Sequence, residues 1–164
     1  MNITDLSTAV RILHAGAGEI SGPAGVATDR YMIDGRLTDG RVAVVEHFVA
    51  PGVLAAPVHR HTTEDEFSYV LEGKVAFLFG DEEIVAEAGD LVVKPRQEWH
   101  TFWNPGDGPT RILEIISPAG LEDLFRALGT DPDPERIAEL AAQHGCDIDG
   151  DATSRLVERH GLSF

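Results

Sequence analysis

The sequence predicts a mainly β protein, a sandwich or barrel of short strands followed by a helical tail. Three observations lead to this fold class. Short β-rich runs recur between residues 41 and 117, turn residues separate them, and a helical period begins only after residue 117. Because no helix-length pattern interrupts the strands, a fold that alternates strands and helices is disfavoured.

Chain length bounds the number of domains, and net charge bounds the classes of binding partner. The 164 residues suffice for a single domain, which we expect to span residues 1–164. A net charge of −15 disfavours nucleic acid and anionic membrane surfaces as partners, since both attract basic patches. Without a visible signal or membrane segment, and with Cys146 as the single cysteine, a cytoplasmic location is expected.

The first 40 residues hold short apolar pieces broken by glycine and proline. The pieces at 10–13 and 27–33 are predicted to be edge strands or an arm. Residues 41–117 follow as the predicted β core. Its strands are expected at 42–49, 67–71, 75–79, 83–86, 91–93, 100–103 and 111–116.

Residues 117–164 form the predicted helical tail. Ser117 and Pro118 are typical of the start of a helix, and a leucine-rich stripe at helical spacing follows until Gly129. A second helix is expected from Asp133–Pro134 to near Gly145, and a third around residues 151–159. No internal repeat is visible.

Histidines and one glutamate indicate a metal site. On a strand, the side chains of His59 and His61 project from one face and can reach one ion. Glu66 follows after a polar stretch, so a hairpin is expected to return it beside the histidines. The alternatives are hydrogen-bonded histidines, a solvated acidic loop at 64–66, and a His100 that belongs to an aromatic core.

These residues also lie in two segments that resemble the two cupin motifs. The first segment runs from Gly52 through His59, His61 and Glu66 to Gly73, and the second runs from Gly89 through Pro95 and His100 to Asn104. The resemblance implies a double-stranded β-helix, or jelly-roll barrel, with N-terminal strands and C-terminal helices. It also implies one divalent metal ion held by His59, His61, Glu66 and His100. The stretch 117–125 further resembles the tail of small bacterial quercetin-dioxygenase-like cupins.

The motifs depart from the family pattern at two points. Six residues separate Gly52 from His59, where the family has five, and Gln97 replaces a glycine usually found after the proline. The second departure bears on the turn before His100, because glutamine adopts a positive φ less readily than glycine.

The ligand set implied by the resemblance constrains the chemistry. Three imidazoles and a carboxylate suit Fe, Mn, Ni, Co, Cu or Zn better than calcium or magnesium. On a six-coordinate ion they leave two positions open, for a bidentate substrate or for substrate and O₂. Glu66 is also a candidate general base. Strand parity places Ser68, Val70 and Phe102 on the pocket walls, which favours a hydrophobic or aromatic small molecule.

The predicted function is therefore that of an O₂-using dioxygenase. An isomerase or lyase that uses the ion as a Lewis acid is an alternative, and so is a non-catalytic binding or sensing module. Fold alone does not choose among them, whereas oxygen consumption does. A homodimer is expected if apolar sheet faces need cover, although the C-terminal helices can supply the same cover within one chain.

Overall fold

The structure is a computed structural model that describes residues 12–129 and 134–164, and within them two antiparallel sheets and three helices. The first sheet has six strands, in the order β1 (Glu19–Ser21), β2 (Ala27–Ile33), β3 (Ala43–Val49), β10 (Thr110–Ser117), β5 (Asp65–Glu72) and β8 (Leu91–Lys94). The second has five strands, in the order β11 (Cys146–Asp149), β4 (Val58–His61), β9 (His100–Trp103), β6 (Lys74–Phe79) and β7 (Glu82–Glu87). The helices are α1 (Leu121–Leu128), α2 (Pro134–Gln143) and α3 (Gly150–His160).

The chain moves back and forth between the two sheets. From β3 to β10 each strand lies in the sheet opposite its predecessor, except for the hairpin of β6 and β7. This crossing pattern is the double-stranded β-helix, so the predicted fold class is confirmed. A sandwich of this kind has one closed interior, which the inner faces of both sheets line.

Alternation of side chains decides what enters that interior. Along β10, Ile112, Glu114 and Ile116 are fully buried, while the residues between them are partly exposed. The second sheet is buried on its outer face as well, because Leu78 of β6 packs with Leu156 of α3. Phe77, on the inner face of the same strand, packs in the core between the sheets.

Most predicted elements are confirmed, and their ends shift by one or two residues. Two interpretations are wrong. Helix α1 begins at Leu121 rather than at Ser117–Pro118, because β10 extends to Ser117 and Gly120 is the residue before the first helical turn. The stretch between β4 and β5 is no hairpin, because the two strands lie in different sheets.

Strand β11 has no counterpart in the sequence prediction, which places no element between the second and third helices. Half of the predicted piece at 10–13 lies outside the described residues, and the half inside them is not in a strand. Asp133, the expected cap of the second helix, also lies outside them. Within 12–129 and 134–164 no helix combines the length and apolar character needed to cross a bilayer.

A matched pair of glycines tests the turn geometry. Gly73 and Gly80 both have positive φ, but a Cβ on Gly73 would lie 2.7 Å from the carbonyl oxygen of Pro109, whereas a Cβ on Gly80 meets nothing within 4 Å. Replacing Gly80 with alanine should cost about 1–2 kcal/mol of unfolding free energy. Gly73→Ala should cost about 1–3 kcal/mol more. Urea denaturation of both variants measures the difference, and equal losses would contradict the close approach.

Candidate metal centre

Four side chains converge inside the sandwich: His59, His61, Glu66 and His100. All are buried, with at most 7% of each residue exposed. One potential ligand atom from each lies within 4.8 Å of the others. The structure thus brings together every residue that the sequence suggested as a ligand, and it rules out the solvated acidic loop for Glu66.

The two sheets contribute opposite sides of this cluster. His59 and His100 are cross-strand partners on β4 and β9 of the second sheet, and His61 follows two residues after His59 on the same face. Glu66 comes from β5 of the first sheet and reaches the histidines across the interior. Arg60, between the two histidines, points outward and pairs with Asp147 at 2.9 Å, as strand parity predicts.

Backbone carbonyls orient two of the imidazoles. The Nδ1 atoms of His59 and His100 lie 2.7 and 2.9 Å from the carbonyl oxygens of Pro57 and Glu98. A carbonyl only accepts, so each Nδ1 carries the hydrogen and each Nε2 presents a lone pair to the cluster. The Nε2 atoms of His59 and His61 are 3.1 Å apart, and Oε2 of Glu66 is 3.2 Å from Nε2 of His100. Converging lone pairs of this kind fit a divalent transition-metal ion.

The charges in the cluster are strongly coupled. Burial and the neighbouring imidazoles of His100 and His61 lower the pKa of His59 well below its ordinary value. Burial also disfavours a charge on His61, but the Glu66 carboxylate outweighs it and raises the pKa of His61 to about 10. Without metal, a proton therefore stays on His61, at a position where an ion would compete with it.

A buried lysine, which the sequence interpretation missed, fixes the state of the glutamate. Nζ of Lys94 donates to Glu66 at 2.9 Å and to Glu114 at 2.8 Å, and Ser68 donates to the same Glu114 oxygen at 2.8 Å. Burial raises the pKa of Glu66, but Lys94 and His61 more than offset this and hold it well below its ordinary range. The one indication in the sequence was the alternation of side chains along β8 and β10. It places charged Lys94 and Glu114 on the same strand faces as apolar core residues.

A cavity of about 250 Å3 reaches from this cluster to the helices. Its walls include His59, His61 and Glu66, and at the other end apolar side chains of α1 and α2. Phe102 lines it as predicted, whereas Ser68 and Val70 do not. Asp29, His47, Lys94 and Glu114 add a polar wall that the sequence interpretation did not contain. The space is near the lower end of the range for small-molecule sites, about 300–1,000 Å3.

Gln97 lies in the turn before His100 and has a positive φ. Its φ is 68°, in the left-handed region where a glycine is usual, and its N–H donates to the carbonyl oxygen of His61 at 2.7 Å. The turn before His100 thus contains the positive φ that a glycine would allow, with a glutamine at that position. The backbone bond ties this turn to His61, the last residue of β4 and one of the four candidate ligands.

The part of the chain that matches a known family is close to the predicted β core at 41–117. Residues 45–116 match the family model described as the cupin domain. A curated relative, the tetracenomycin polyketide synthase protein TcmJ of Streptomyces glaucescens, is 28% identical over 101 residues. That alignment covers 62% of this chain and 66% of the relative, so the chain spans just under two thirds of its length.

Solved structures share the fold at low sequence identity. A predicted oxalate decarboxylase from Thermotoga maritima superposes with a TM-score of 0.61 at 16% identity, covering 66% of this chain and 99% of the other. A sugar phosphate isomerase from Silicibacter pomeroyi superposes with a TM-score of 0.57 at 21% identity, covering 65% and 75%. At these identities the likeness establishes the fold alone.

Removing the buried lysine should test the charge network in metal-free protein. Lys94→Met leaves two buried carboxylates without their cation, so we expect a loss of about 3–5 kcal/mol in unfolding free energy at pH 7. Because the folded pKa of Glu66 lies below its unfolded value, its stabilisation is present above the unfolded pKa and disappears as the pH falls through the folded one. The loss of unfolding free energy in Lys94→Met should therefore be smaller at acidic pH than at pH 7.

Lys74→Met is the matched control, because Lys74 pairs with Glu87 on the exposed surface. Denaturant titrations of both variants at pH 7 and at acidic pH make the comparison. A Lys94 variant that is no less stable than the control would contradict the network.

Proposed function

Residues 45–116 match the cupin domain, and from that match we propose that His59, His61, Glu66 and His100 hold one divalent transition-metal ion that acts on a small apolar molecule. The observation that carries the proposal is the convergence of four buried donors on the wall of a largely apolar cavity. Such an ion supplies Lewis acidity toward a substrate oxygen and, if redox-active, electrons for reaction with O₂.

The residues around the donors define what the cavity accepts. Apolar side chains of α1 and α2 keep water away, and Phe102 presents an aromatic face near the donors. Lys94 balances Glu66, and a divalent ion beside them attracts an anionic oxygen despite the acidic surface. The volume of about 250 Å3 favours a compact molecule, such as a single-ring phenol or a short dicarbonyl compound.

Dioxygenase activity is the finer part of this proposal. The mixed nitrogen and oxygen donor set and the apolar walls support it, and the similarity to a polyketide synthase protein supports phenolic or dicarbonyl chemistry. An isomerase or lyase that uses the ion only as a Lewis acid would need the same donors. The role of Glu66 as general base stays a prediction, and its ion pair with Lys94 weakens its basicity.

Metal content tests the ligand assignment directly. We expect about one equivalent of a first-row transition metal per chain, and an affinity loss of at least about 100-fold in His59→Ala, His61→Ala or His100→Ala. Binding should weaken as the pH falls, because the ion must displace a proton from His61. His160→Ala is the control, since His160 pairs with Glu83 on the surface. Elemental analysis after reconstitution measures the metal content of wild type and variants. Wild-type protein that takes up no ion would refute the site.

Chelation tests whether the ion is needed for folding. The interior between the sheets packs independently of the donors, through a core that includes Val70, Phe77 and Ile112. The ion should therefore add only linkage stabilisation, about 4 kcal/mol at a thousandfold excess over Kd. Chelated protein should keep its β-type circular dichroism and melt cooperatively at a lower temperature. Unfolding at room temperature would instead make the ion structural.

An oxygen electrode separates the candidate activities. Protein loaded in turn with Fe(II), Mn(II) and Ni(II) is mixed with a panel of phenols and dicarbonyl compounds. Oxygen uptake that needs both the metal and one compound would support the dioxygenase. Conversion of a compound without oxygen uptake would favour the isomerase or lyase, and binding without conversion would favour the sensing module.

A further inference from the structure

A second polar pair faces the same cavity from the first sheet. Asp29 on β2 and His47 on β3 are cross-strand partners, and Oδ1 of Asp29 lies 2.7 Å from Nδ1 of His47. Both residues line the cavity that His59, His61 and Glu66 also line. Asp29 precedes the part of the chain that matches the cupin domain, so the pair joins an N-terminal strand to the domain's own β3.

The hydrogen bond fixes the tautomer of the His47 ring. An ionised carboxylate only accepts, so Nδ1 carries a hydrogen and the Nε2 of a neutral ring offers a lone pair. Among the described residues none forms a hydrogen bond to this Nε2. Phe102 and Phe125 both contact the imidazole, each with its ring centroid 5.7 Å away. A carboxylate behind an imidazole with an available second nitrogen is the arrangement of a general base.

The surrounding charges suit His47 to accept a proton. The groups that face it are Asp29 on β2, Glu114 on β10 and Lys94 on β8, whereas its contacts from β9 and α1 are phenylalanines. Burial lowers the pKa of His47, but the carboxylate of Asp29 outweighs burial, and the pKa ends above its ordinary value. Glu66, the alternative base, has a pKa held far lower.

We propose that His47, oriented by Asp29, accepts the proton of a phenolic or enolic hydroxyl of the molecule bound in the cavity. The O–H bond breaks, an N–H bond forms at Nε2, and the electron pair remains on the substrate oxygen. The Asp29 carboxylate stabilises the resulting imidazolium, and no oxidant or co-reactant takes part. The inference rests on the proposed function, because it needs a ligand in the cavity.

The test follows the proton on His47 itself. Zinc-loaded protein, which performs no redox chemistry, is labelled with nitrogen-15 in its histidines and titrated with p-cresol, the side-chain analogue of tyrosine with a pKa of about 10. The titration is done at a pH where the unliganded His47 ring is neutral. We expect the His47 nitrogens to change from the neutral to the imidazolium pattern as p-cresol binds.

Two variants show whether this pair is responsible. His47→Gln, which also assigns the signals, should keep its zinc content and melting temperature but bind p-cresol about 10- to 100-fold more weakly, since a charge-assisted hydrogen bond is lost. Asp29→Asn should titrate its His47 ring at a lower pH and bind p-cresol more weakly. His160→Gln is the matched control, because it removes a histidine–carboxylate pair outside the cavity, with Glu83.

The outcomes separate the two proposals. If p-cresol binds while the wild-type His47 ring stays neutral, or if His47→Gln binds it as tightly as wild type, His47 is not the proton acceptor and only this inference fails. If p-cresol does not bind zinc-loaded wild-type protein, the phenol-binding part of the proposed function fails, and this inference fails with it.

Discussion

The ion pair of Lys94 with Glu66 and Glu114 is the constraint on which the rest of the interior depends. Both carboxylates are buried in the sandwich, so Lys94 between them supplies hydrogen bonds that each would otherwise take from water. The charge on Glu66 is held by His61 as well as by Lys94. Three imidazoles directed at the same carboxylate complete a donor set whose chemistry suits a transition-metal ion better than a second lysine or arginine.

The four candidate metal ligands could be identified from the sequence because three lie within eight residues of one another and the fourth lies in the second cupin-like motif. His59 and His61 share a strand face, and the motif order supplied Glu66 and His100. The route by which Glu66 arrives was not predictable locally: a turn between two strands looks the same whether the chain doubles back in one sheet or crosses to the other. The crossing is decided by strand pairing far along the chain, where β5 finds β10 and β8.

The polar wall escaped prediction for a related reason. Lys94, Glu114 and His47 each sit on a strand in which one face is apolar, and only the assembled sheets show that the interior includes a charged region. Strand β11 was hidden by its neighbours, since it is four residues long and lies between two helices. Gln97 shows the opposite case: its side chain suggested an altered turn, yet its backbone adopts a positive φ and donates a hydrogen bond to His61.

The pairing of β11 with β4 bears on how the protein is made. Cys146 and Ile148 are the register partners of His61 and His59. One edge of β4 therefore stays unpaired until the C-terminal segment has left the ribosome. During synthesis, the β strands that precede it are all available well before this last partner. The pairing of β4 is thus completed late. A chain released early would expose an unpaired edge of β4 that carries two histidines, and such an edge can pair with another chain.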